Sequence, residues 1–560
     1  EFTRDRKTGL VTEERQGEHI VSRTYDGEGN CTRITSSLGA DIRHTYDREG
    51  NLQTMQAGES WQASWVRDNT GLEVQRTFSE RDGFGREVRK SVRAGGIERG
   101  AYRYEWGVAN RLLAKENELT GTVMRYDYDR FDFLIRQETI QGSETDVIYR
   151  VPDFVGNLFE TPDKKDRKYG AGGKLLEDPD CFYHYDDEGN LIFREFKQLQ
   201  ETGVRYDRKR MEKERGIRCL ATGTGWLYEW ASNGMLKKVI RPDGRPVEFR
   251  YDALGRRTAK QYFGKITRWV WDRNVPIHEW SHKVIDIQSD EEESTPLKEP
   301  TEDITTWVFE AGTFVPTAKI QDGKQYSIVS DYLGTPIQMY DEQGNKTWDC
   351  TLDIYGKVLA IDKGTEFDCP FRYQGQYEDE ETGLYYNRFR YYDSNAGSYI
   401  SQDPIGLESD TLNFYDYVCD LNDGIDPLGL YNPYGNKKGG GFKKKPGRKP
   451  NKKTSLHGNC RTSTKPAVLY AQYDSEGNFM KYGITQEIDN PMARYRNTIP
   501  SDWEVVEMTR GNRSDMLDLE RELSEKVGGP LNQESWAGTK RGDPLSPKAE
   551  AVHTKMQSHH

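Results

Sequence analysis

A short motif recurs through most of this 560-residue chain, and it constrains the fold more than any other feature. Tyrosine is followed by aspartate, two variable residues, glycine and asparagine. Copies of the motif begin at Tyr25, Tyr46, Tyr185 and Tyr340, and a variant begins at Tyr251. Self-similar units of this kind are typical of repeat architectures, in which one unit cannot bury its apolar face alone.

Each copy of the motif reads as a β-hairpin. The tyrosine ends one strand, the aspartate bonds to the backbone of the turn, and the glycine supplies a positive φ. Because a lone hairpin is barely stable in water, we expect residues 1–400 to form one long, curled antiparallel sheet. A content of 33 Tyr and 12% aromatic residues favours β structure and argues against disorder.

These repeats resemble the YD repeats of the Rhs family, and the resemblance is strongest towards residue 430. The motifs that carry it lie at 331–336, 371–377, 381–388, 390–393, 403–407 and 426–430. They resemble the Rhs-associated core, which implies a β-cocoon that encloses a C-terminal toxin. Family shells are usually much longer, so the resemblance also implies that residues 1–430 are part of a larger shell.

Charge is distributed unevenly along the chain. Residues 431–560 contain 22 Lys+Arg against 15 Asp+Glu, a net charge of +7, which leaves −19 for residues 1–430. This asymmetry suggests a nucleic-acid partner for the tail. The acidic and basic parts of the chain could also simply attract each other, and both explanations can hold. Residues 431–453 combine nine Lys/Arg with glycines and prolines and predict a flexible basic linker. The acidic segment 289–302 predicts a disordered loop.

Two Asp-Pro-x-Gly-Leu motifs place Asp403 and Asp426 at equivalent positions. Two carboxyls held within a few ångström cannot both ionise easily, so one keeps a proton and acts as an acid while the other activates water. That is the chemistry of peptide hydrolysis. Alternatively, each motif is only a β-turn in which the aspartate bonds its own backbone. The Rhs resemblance implies self-cleavage between Leu430 and Tyr431.

The sequence pattern changes in the tail. Residues 467–473 and 479–485 predict two strands, 501–508 predict a third, and 514–527 predict a helix.

Within that helix, Glu520 falls inside an apolar stripe when residues are spaced at about 100°. The stripe consists of Met516, Leu519, Leu523 and Val527. A carboxylate on such a face is costly unless it binds a metal or pairs with an arginine, and the sequence leaves both open.

Residues 466–536 resemble the GIY-YIG nuclease fold of bacterial polymorphic toxins. The matching positions are Tyr470 in the first motif, Lys481 and Tyr482 in the second, and then Arg494, Glu520 and Asn532. The resemblance implies that Tyr470 or Lys481 helps to activate water and that Arg494 holds the scissile phosphate. It also implies that Glu520 binds Mg²⁺ or Mn²⁺ and that Asn532 orients a phosphate or a water. The division of roles between Lys481 and Tyr482 stays open.

These patterns predict a mainly β chain. Its larger part is expected to be a cocoon-like shell, an antiparallel β-sheet built from YD repeats, and a small α/β domain similar to the GIY-YIG fold follows. The expected segments are a YD-repeat shell at 1–330, the Rhs-associated core with self-cleavage motifs at 331–430, a basic linker at 431–465 and a nuclease toxin at 466–560. No run of about 18 apolar residues occurs, so the sequence contains no candidate membrane-spanning helix.

The function expected from the resemblance is that of an interbacterial toxin. It is made in the bacterial cytoplasm, secreted, and acts in the cytoplasm of a target cell. The expected partners are DNA as substrate, a cognate immunity protein and a secretion machinery. Two alternatives stay open, a cell-surface or structural YD-repeat protein whose tail only binds nucleic acid, and a toxin that cuts RNA.

Overall fold

The structure is a computed structural model that describes residues 1–58, 61–67, 73–75, 79–94, 97–283, 300–406, 413–430, 466–475, 479–485, 504–512 and 516. The chain divides into two compact units, residues 1–443 and 444–560. Antiparallel strands dominate the described residues of both units. The mainly β fold predicted from the repeats is therefore confirmed.

Most of the first unit consists of meanders in which each strand pairs with the next one along the chain. A seven-stranded sheet contains β1 (Phe2–Arg4), β2 (Val11–Gln16), β3 (His19–Tyr25), β4 (Cys31–Ser36), β5 (Asp41–Tyr46), β6 (Leu52–Ala57) and β7 (Trp61–Ser64). A short pair follows, β8 (Val66–Arg67) with β9 (Glu73–Gln75). A second seven-stranded sheet contains β10 (Ser79–Arg81), β11 (Glu87–Ala94), β12 (Ile97–Trp106), β13 (Leu112–Asn117), β14 (Thr122–Tyr128), β15 (Leu134–Gln141) and β16 (Glu144–Tyr149).

The largest sheet has sixteen strands, and a short pair precedes it, β17 (Val151–Pro152) with β18 (Leu158–Phe159). The sheet contains β19 (Lys168–Tyr169), β20 (Leu175–Glu177), β21 (Cys181–Tyr185), β22 (Leu191–Phe196), β23 (Gly225–Trp230), β24 (Leu236–Ile240), β25 (Pro246–Tyr251), β26 (Arg257–Tyr262), β27 (Lys265–Asp272), β28 (Val275–Lys283), β29 (Thr305–Phe309), β30 (Pro316–Gln321), β31 (Lys324–Ser330), β32 (Pro336–Tyr340), β33 (Lys346–Leu352) and β34 (Val358–Lys363). Single 3₁₀ turns lie at Val108–Asn110, Ala171–Gly173 and Glu366–Asp368.

The repeated motif forms the hairpin turn that the sequence predicts. Asp26 Oδ1 accepts hydrogen bonds from the backbone N–H groups of Glu28 (3.0 Å) and Asn30 (2.9 Å). Asn30 Nδ2 donates to the other carboxylate oxygen at 3.0 Å. Gly29 has a φ of 89°, a conformation that glycine adopts without strain. Tyrosine hydroxyls then join neighbouring hairpins, because Tyr25 donates to the carbonyl of Val11 at 2.7 Å.

A four-stranded sheet closes the shell segment and is buried on both faces. It contains β35 (Tyr377–Glu378), β36 (Leu384–Asn387), β37 (Arg390–Asp393) and β38 (Ser398–Tyr399). On one face, Leu384, Tyr386 and Tyr391 pack with the large sheet around Trp269 and Trp271. On the other face, Tyr385, Tyr392 and Tyr399 pack with Tyr102, Leu112 and Tyr126 of the second sheet. Every residue of β36 and β37 is buried.

The prediction of one continuous sheet over residues 1–400 is wrong, since the described strands fall into separate sheets. Between β16 and β19 the chain forms the short β17–β18 pair, and two of its arginines contact residues 396–419. Arg150 donates to the carbonyls of Val418 and Cys419 at 2.7 and 3.0 Å. Arg167 likewise donates to the carbonyl of Ala396 at 2.8 Å. The large sheet therefore begins anew at β19.

The shell also contains a helix that the repeat analysis did not predict, α1 (Arg208–Arg215). The helix has the usual residues at its two ends. The side chain of Asp207 caps the first turn by accepting the N–H of Arg210, and Gly216 ends the helix with a φ of 67°. Met211 is the buried residue of this helix and packs with Phe193 and Leu227. The acidic loop predicted at 289–302 lies largely outside the described residues.

The second unit contains a three-stranded sheet, β39 (Pro466–Tyr473), β40 (Phe479–Thr485) and β41 (Glu504–Asn512). β39 lies in the centre, antiparallel to both neighbours. The two predicted hairpin strands are confirmed, and the third predicted strand, at 501–508, overlaps β41 from residue 504 onward. Of the predicted helix at 514–527, only residue 516 is described, and the linker at 431–465 lies outside the described residues.

The buried carboxylate of Glu195 fixes the loop that follows α1. It accepts hydrogen bonds from the N–H groups of Leu220, Ala221 and Gly223 at 2.7–2.9 Å, and His184 Nε2 lies 3.1 Å away. Burial alone raises the pKa of Glu195, but His184 and the three N–H donors outweigh it and lower the pKa to about 2. Glu195 therefore stays ionised in the folded shell at neutral pH.

We predict that Glu195→Gln lowers the free energy of unfolding by roughly 1.5–3 kcal/mol at neutral pH, because a charge-assisted acceptor is lost. The carboxylate contributes stability above its unfolded pKa of about 4.5, and that contribution is lost as the pH falls towards 2. The variant should therefore show a weaker pH dependence across this window in denaturant unfolding. The exposed Glu188→Gln is the matched control, and equal pH profiles for wild type and Glu195→Gln would contradict the prediction.

Candidate self-cleavage site

The turn between β36 and β37 holds the backbone of the last shell residues. Asn387 Nδ2 donates to the carbonyl of Asp426 at 2.8 Å, and the N–H of Phe389 donates to that of Leu428 at 3.2 Å. Arg390 Nε donates to the carbonyl of Gly429. Three residues in or next to the turn thus bind three carbonyls of residues 426–429. Because both flanking strands are buried, this turn is a rigid support for the segment.

Two glycines allow the segment to lie this close. Gly429 has a φ of 67°, and a Cβ there would sit 2.6 Å from the carbonyl oxygen of Asn387. A Cβ at Gly375 would overlap the backbone of Pro427. Any larger residue at either position would have to displace main chain and not a flexible side chain.

Asp403 and Asp426 meet at a single arginine. Nη2 of Arg390 lies 2.8 Å from Oδ2 of Asp403 and 3.3 Å from Oδ2 of Asp426. All three side chains are almost fully buried, with 6% or less of each residue exposed. The structure therefore brings together the two aspartates that the sequence singled out.

The alternative interpretation, in which each motif is a β-turn closed by its own aspartate, also holds. In each aspartate, the carboxylate oxygen that does not contact Arg390 closes the turn. Oδ1 of Asp403 accepts the N–H of Ile405 at 3.0 Å, and Oδ1 of Asp426 accepts the N–H of Leu430 at 2.9 Å. Each aspartate thus uses one oxygen to close its own turn and directs the other at Arg390. The turn geometry is what aims the two carboxylates at a common point.

Tyr399 completes the surroundings of Asp426. Its hydroxyl lies 2.8 Å from Oδ2 of Asp426, and its ring lies under the guanidinium of Arg390, with 3.6 Å from Cζ to the ring centroid. Burial raises the pKa of Asp426, and the charge of Asp403 adds to that effect. Arg390, the Tyr399 hydroxyl and the N–H of Leu430 act in the opposite direction.

Sequence reasoning identified the two aspartates but assigned no role to Asn387, Arg390 or Tyr399. Asn387 and Arg390 lie in the core motifs at 381–388 and 390–393, and this was the only sequence feature that could have pointed to them. Their contacts with the aspartates became visible only in the folded structure. Of the predicted scissile bond, Leu430 is described, and Tyr431 lies outside the described residues.

The nuclease positions are described only in part. Tyr470 lies in β39 and is 1% exposed. In the pairing of β39 with β40, Lys481 is opposite Gln472 and Tyr482 is opposite Ala471. Arg494, Glu520 and Asn532 lie outside the described residues.

Among the described residues there is no cluster of three or more His, Cys, Asp or Glu residues placed to hold a metal ion. None of the helices described is long and apolar enough to cross a membrane.

Comparison with known proteins finds a shell family. Residues 160–422 match the family described as Teneurin YD-shell. This range contains β19 to β38, and with them Asn387, Arg390, Tyr399 and Asp403 of the site. The chain is thus similar to YD-shell proteins over residues 160–422.

Two relatives are bacterial proteins. The double-stranded DNA deaminase toxin A of Burkholderia cenocepacia is 27% identical over 78% of this chain and 30% of its own length. The probable deoxyribonuclease RhsB of Dickeya dadantii is 28% identical over 73% of this chain and 27% of its own length. The chain thus spans less than a third of either relative. Among solved structures, the Photorhabdus luminescens Tc holotoxin pore covers 75% of the chain at 17% identity, with a TM-score of 0.46.

We predict that Gly429→Ala releases the segment that ends at Leu430, because the added Cβ meets the carbonyl of Asn387. Amide hydrogen exchange at Leu430 should then accelerate by at least tenfold, since its N–H loses Asp426 as acceptor. Gly383→Ala is the matched control, because Gly383 also has a positive φ (68°) but open space around a Cβ. Unchanged exchange at Leu430 in Gly429→Ala would show that the segment is not held as described.

Proposed function

We propose that this chain is part of an Rhs-type interbacterial toxin whose shell cleaves itself after Leu430 and frees a tail that cuts DNA. One observation carries the first half of the proposal. A single nitrogen of Arg390 contacts both Asp403 and Asp426, while Asp426 also binds the N–H of Leu430, the residue before the proposed cleavage point. The reacting residue is therefore bound directly to one of the two carboxylates.

The charge at this site favours acid–base chemistry. Two buried carboxylates share one guanidinium, so full ionisation would leave an excess negative charge away from water. A single proton removes that excess, and the pair then contains one acid and one base. The nearby cluster of Arg257, Lys260, Asp379 and Glu381 is the contrast, because its two cations match its two acids. That balanced cluster has no need of a proton, and we assign it a structural role.

The proposed reaction is hydrolysis of the peptide bond between Leu430 and Tyr431. The ionised aspartate removes a proton from a water molecule as its oxygen attacks the carbonyl carbon of Leu430. The protonated aspartate gives its proton to the carbonyl oxygen. When the tetrahedral intermediate collapses, the bond to Tyr431 breaks and the departing nitrogen takes up a proton. The products are a carboxylate at Leu430 and an amine at Tyr431, with one water consumed.

We predict that the purified chain separates into two polypeptides under denaturing conditions, with a new N-terminus at Tyr431. Asp403→Asn and Asp426→Asn should each leave one chain of 64.7 kDa, because each removes a proton carrier. Intact-mass measurement after incubation over a range of pH checks both statements.

Asp353→Asn is the control for that experiment, since Asp353 is a partly buried turn aspartate that lies in a different hairpin, between β33 and β34. It should cleave as wild type does. A wild-type chain that stays intact at every pH would overturn the proposed cleavage.

Two considerations support a DNA-cutting tail. The relatives named above are a DNA deaminase toxin and a probable deoxyribonuclease, and both names refer to DNA. Zinc deaminases bind their metal with a histidine and two cysteines or with three cysteines, whereas residues 431–560 contain one cysteine, Cys460. The tail therefore favours hydrolysis over deamination, in agreement with its GIY-YIG-like motifs.

In this proposal, Tyr470 and Lys481 assist the attacking water, Arg494 holds the scissile phosphate and Asn532 orients a phosphate or water. Glu520 would hold a Mg²⁺ or Mn²⁺ ion, which when bound neutralises charge on the phosphate. Tyr482 is the alternative to Lys481 for this role. Tyr470 is almost fully buried, so substrate binding has to expose its hydroxyl.

The resemblance to the Rhs family also suggests where the protein is made and where it acts. The protein is made in the bacterial cytoplasm, leaves through a secretion machinery and acts in the cytoplasm of a target cell. A cognate immunity protein would protect the producing cell. An acidic surface on that immunity protein would complement the net charge of +7 on residues 431–560.

We predict that residues 431–560 cleave plasmid DNA in Mg²⁺ or Mn²⁺, and that EDTA abolishes the activity. Glu520→Ala should lower the cleavage rate at least a hundredfold, because the metal ligand is lost, while Glu522→Ala on the polar face should stay active. Circular dichroism of both variants shows whether each is folded, so that a loss of catalysis can be told from a loss of structure.

Folded Glu520→Ala that cuts at the wild-type rate would contradict the assignment. Cleavage of RNA alone would favour the RNA-cutting alternative. Binding of DNA without cleavage would favour a YD-repeat protein with a non-catalytic tail.

A further inference from the structure

We propose that a cavity beside the turn of β36 and β37 binds a small monovalent carboxylate, of the size of formate, between Arg388 and Gln376. Neither the proposed self-cleavage nor the proposed DNA cleavage uses these two side chains, and the site is argued independently of both. Its basis is the charge of the cavity wall and the hydrogen bonds that the wall leaves unfilled.

The cavity lies among aromatic side chains of the large sheet and of the C-terminal core. Trp269, Trp271, Phe371 and Tyr377 contribute to its wall, and its free space is about 30 Å³. A buried water molecule needs roughly 10–15 Å³ of such space, so the cavity has room for two waters or for one small anion. An unpaired charge in these largely apolar surroundings is costly.

The first polar group in the wall is the amide of Gln376. This residue is 1% exposed, and it lines the cavity. Neither its Nε2 nor its Oε1 has a hydrogen-bond partner in the part of the chain that the structure describes. Because buried side-chain amides are normally paired, the amide indicates a bound molecule in the cavity.

The second polar group in the wall is the guanidinium of Arg388, a residue that is 5% exposed. Its Nη2 donates to the carbonyl of Leu254 at 2.7 Å, and its Nε donates to Oδ1 of Asn274 at 3.3 Å. Its Nη1 is buried and has no acceptor among the described residues. Both acceptors are uncharged, and Asp252, an acid whose charge reaches Arg388, forms its own ion pair with Arg256 at 2.7 Å.

The other two arginines in the wall show what Arg388 lacks. Arg257 forms an ion pair with Asp379, and Nε of Arg372 lies 2.6 Å from Oε2 of Glu378. Buried arginines are rarely left without a partner of opposite charge. A carboxylate bound in the cavity would give Arg388 the partner that the other two arginines have within the chain.

Charge, size and donors together identify the class of ligand. One unpaired guanidinium requires one negative charge, and water molecules would fill the hydrogen bonds without supplying it. A tetrahedral dianion such as phosphate has the wrong charge and more bulk than the cavity admits. The free donors, Nη1 of Arg388 and Nε2 of Gln376, belong to two side chains, and the two oxygens of a carboxylate can accept from both.

The backbone at Arg388 agrees with a role for its side chain. Its φ is 63°, in the left-handed region that glycine or asparagine normally occupies in hairpin turns. The turn would form with less strain with glycine at this position. The strained conformation instead places a long, charged side chain in the wall of the cavity.

The cavity also adjoins the segment 426–429. Gly375 of its wall packs against Pro427, and Phe389, the neighbour of Arg388, donates its N–H to the carbonyl of Leu428 at 3.2 Å. A carboxylate bound to Arg388 would hold the turn that binds this segment. Opening of the turn should therefore become rarer as the site fills.

The test measures amide hydrogen exchange at Phe389 in the 560-residue chain, by mass spectrometry, while sodium formate replaces sodium chloride at constant ionic strength. If formate has to leave before the turn opens, the exchange rate falls in proportion to 1 + [formate]/Kd. At a formate concentration of about ten times Kd the rate should fall roughly elevenfold. Formamide, a neutral molecule of similar size, should have no effect.

Two variants locate the effect in the cavity. Arg388→Met removes the guanidinium and should abolish the response to formate. Gln376→Glu places a carboxylate in the wall without added bulk, so exchange at Phe389 should be slow without formate and should not change when formate is added. Gln376→Glu decides the matter if Arg388→Met does not fold.

Arg130→Met is the matched control and should keep the full response to formate. Arg130 also lies in a hairpin turn and stacks on the next residue, with its Cζ 4.6 Å from the ring centroid of Phe131. Arg388 stacks on Phe389 in the same way, at 4.4 Å.

The proposal is supported if formate slows exchange in wild type and in Arg130→Met but not in Arg388→Met or Gln376→Glu. It is overturned if formate has no effect on wild type, because the cavity then holds water or takes chloride equally well. Slowing by formamide to the same extent, or an unchanged response in folded Arg388→Met, would also overturn it, since the charge of Arg388 would then not be what is recognised.

Discussion

The hairpin of β36 and β37 is buried on both faces, and the rest of the described shell depends on that constraint. Antiparallel sheets usually have one face in water, so burial of both faces requires a sheet on each side. Here Tyr386 and Tyr391 pack with the large sheet, and Tyr385 and Tyr392 pack with the second sheet. Tyrosine suits this place because its ring fills the core while its hydroxyl finds a carbonyl, as Tyr392 does at Tyr355. The hairpin thereby links two sheets that are not paired to each other, and its turn cannot move without disturbing both.

The same rigidity makes the candidate site possible. Burying an arginine and two aspartates costs desolvation energy, and such a cluster persists only where hydrogen bonds compensate for it. At Arg390 the compensation comes from backbone as well as from charge, since its side chain also donates to the carbonyls of Gly429 and Phe414. The main chain around the proposed cleavage point is therefore part of what stabilises the buried charges. In the proposed self-cleavage, a segment held by the shell in this way would need no separate substrate-binding step, and most of the entropic cost of bringing the groups together would be removed.

The two halves of the proposed function stand on different ground. Self-cleavage is argued from distances between named atoms in the first unit. The proposed DNA cleavage by the tail rests on sequence motifs and on the names of relatives that this chain covers by less than a third of their length. The two can fail independently, because hydrolysis after Leu430 needs none of the tail residues.

The sequence by itself determined the local structure of this protein. The aspartate and glycine of each repeat specify the hairpin turn, and the alternation after it specifies a strand, because both depend on residues close together in the chain. It also singled out Asp403 and Asp426 through their duplicated motif. Which strands share a sheet depends on long-range packing, which includes the bonds of Arg150 and Arg167 to carbonyls more than 200 residues away. Likewise, Arg390, Asn387 and Tyr399 join the aspartates through packing of a hairpin against residues 426–430, and no local pattern encodes a contact between segments that are distant in sequence.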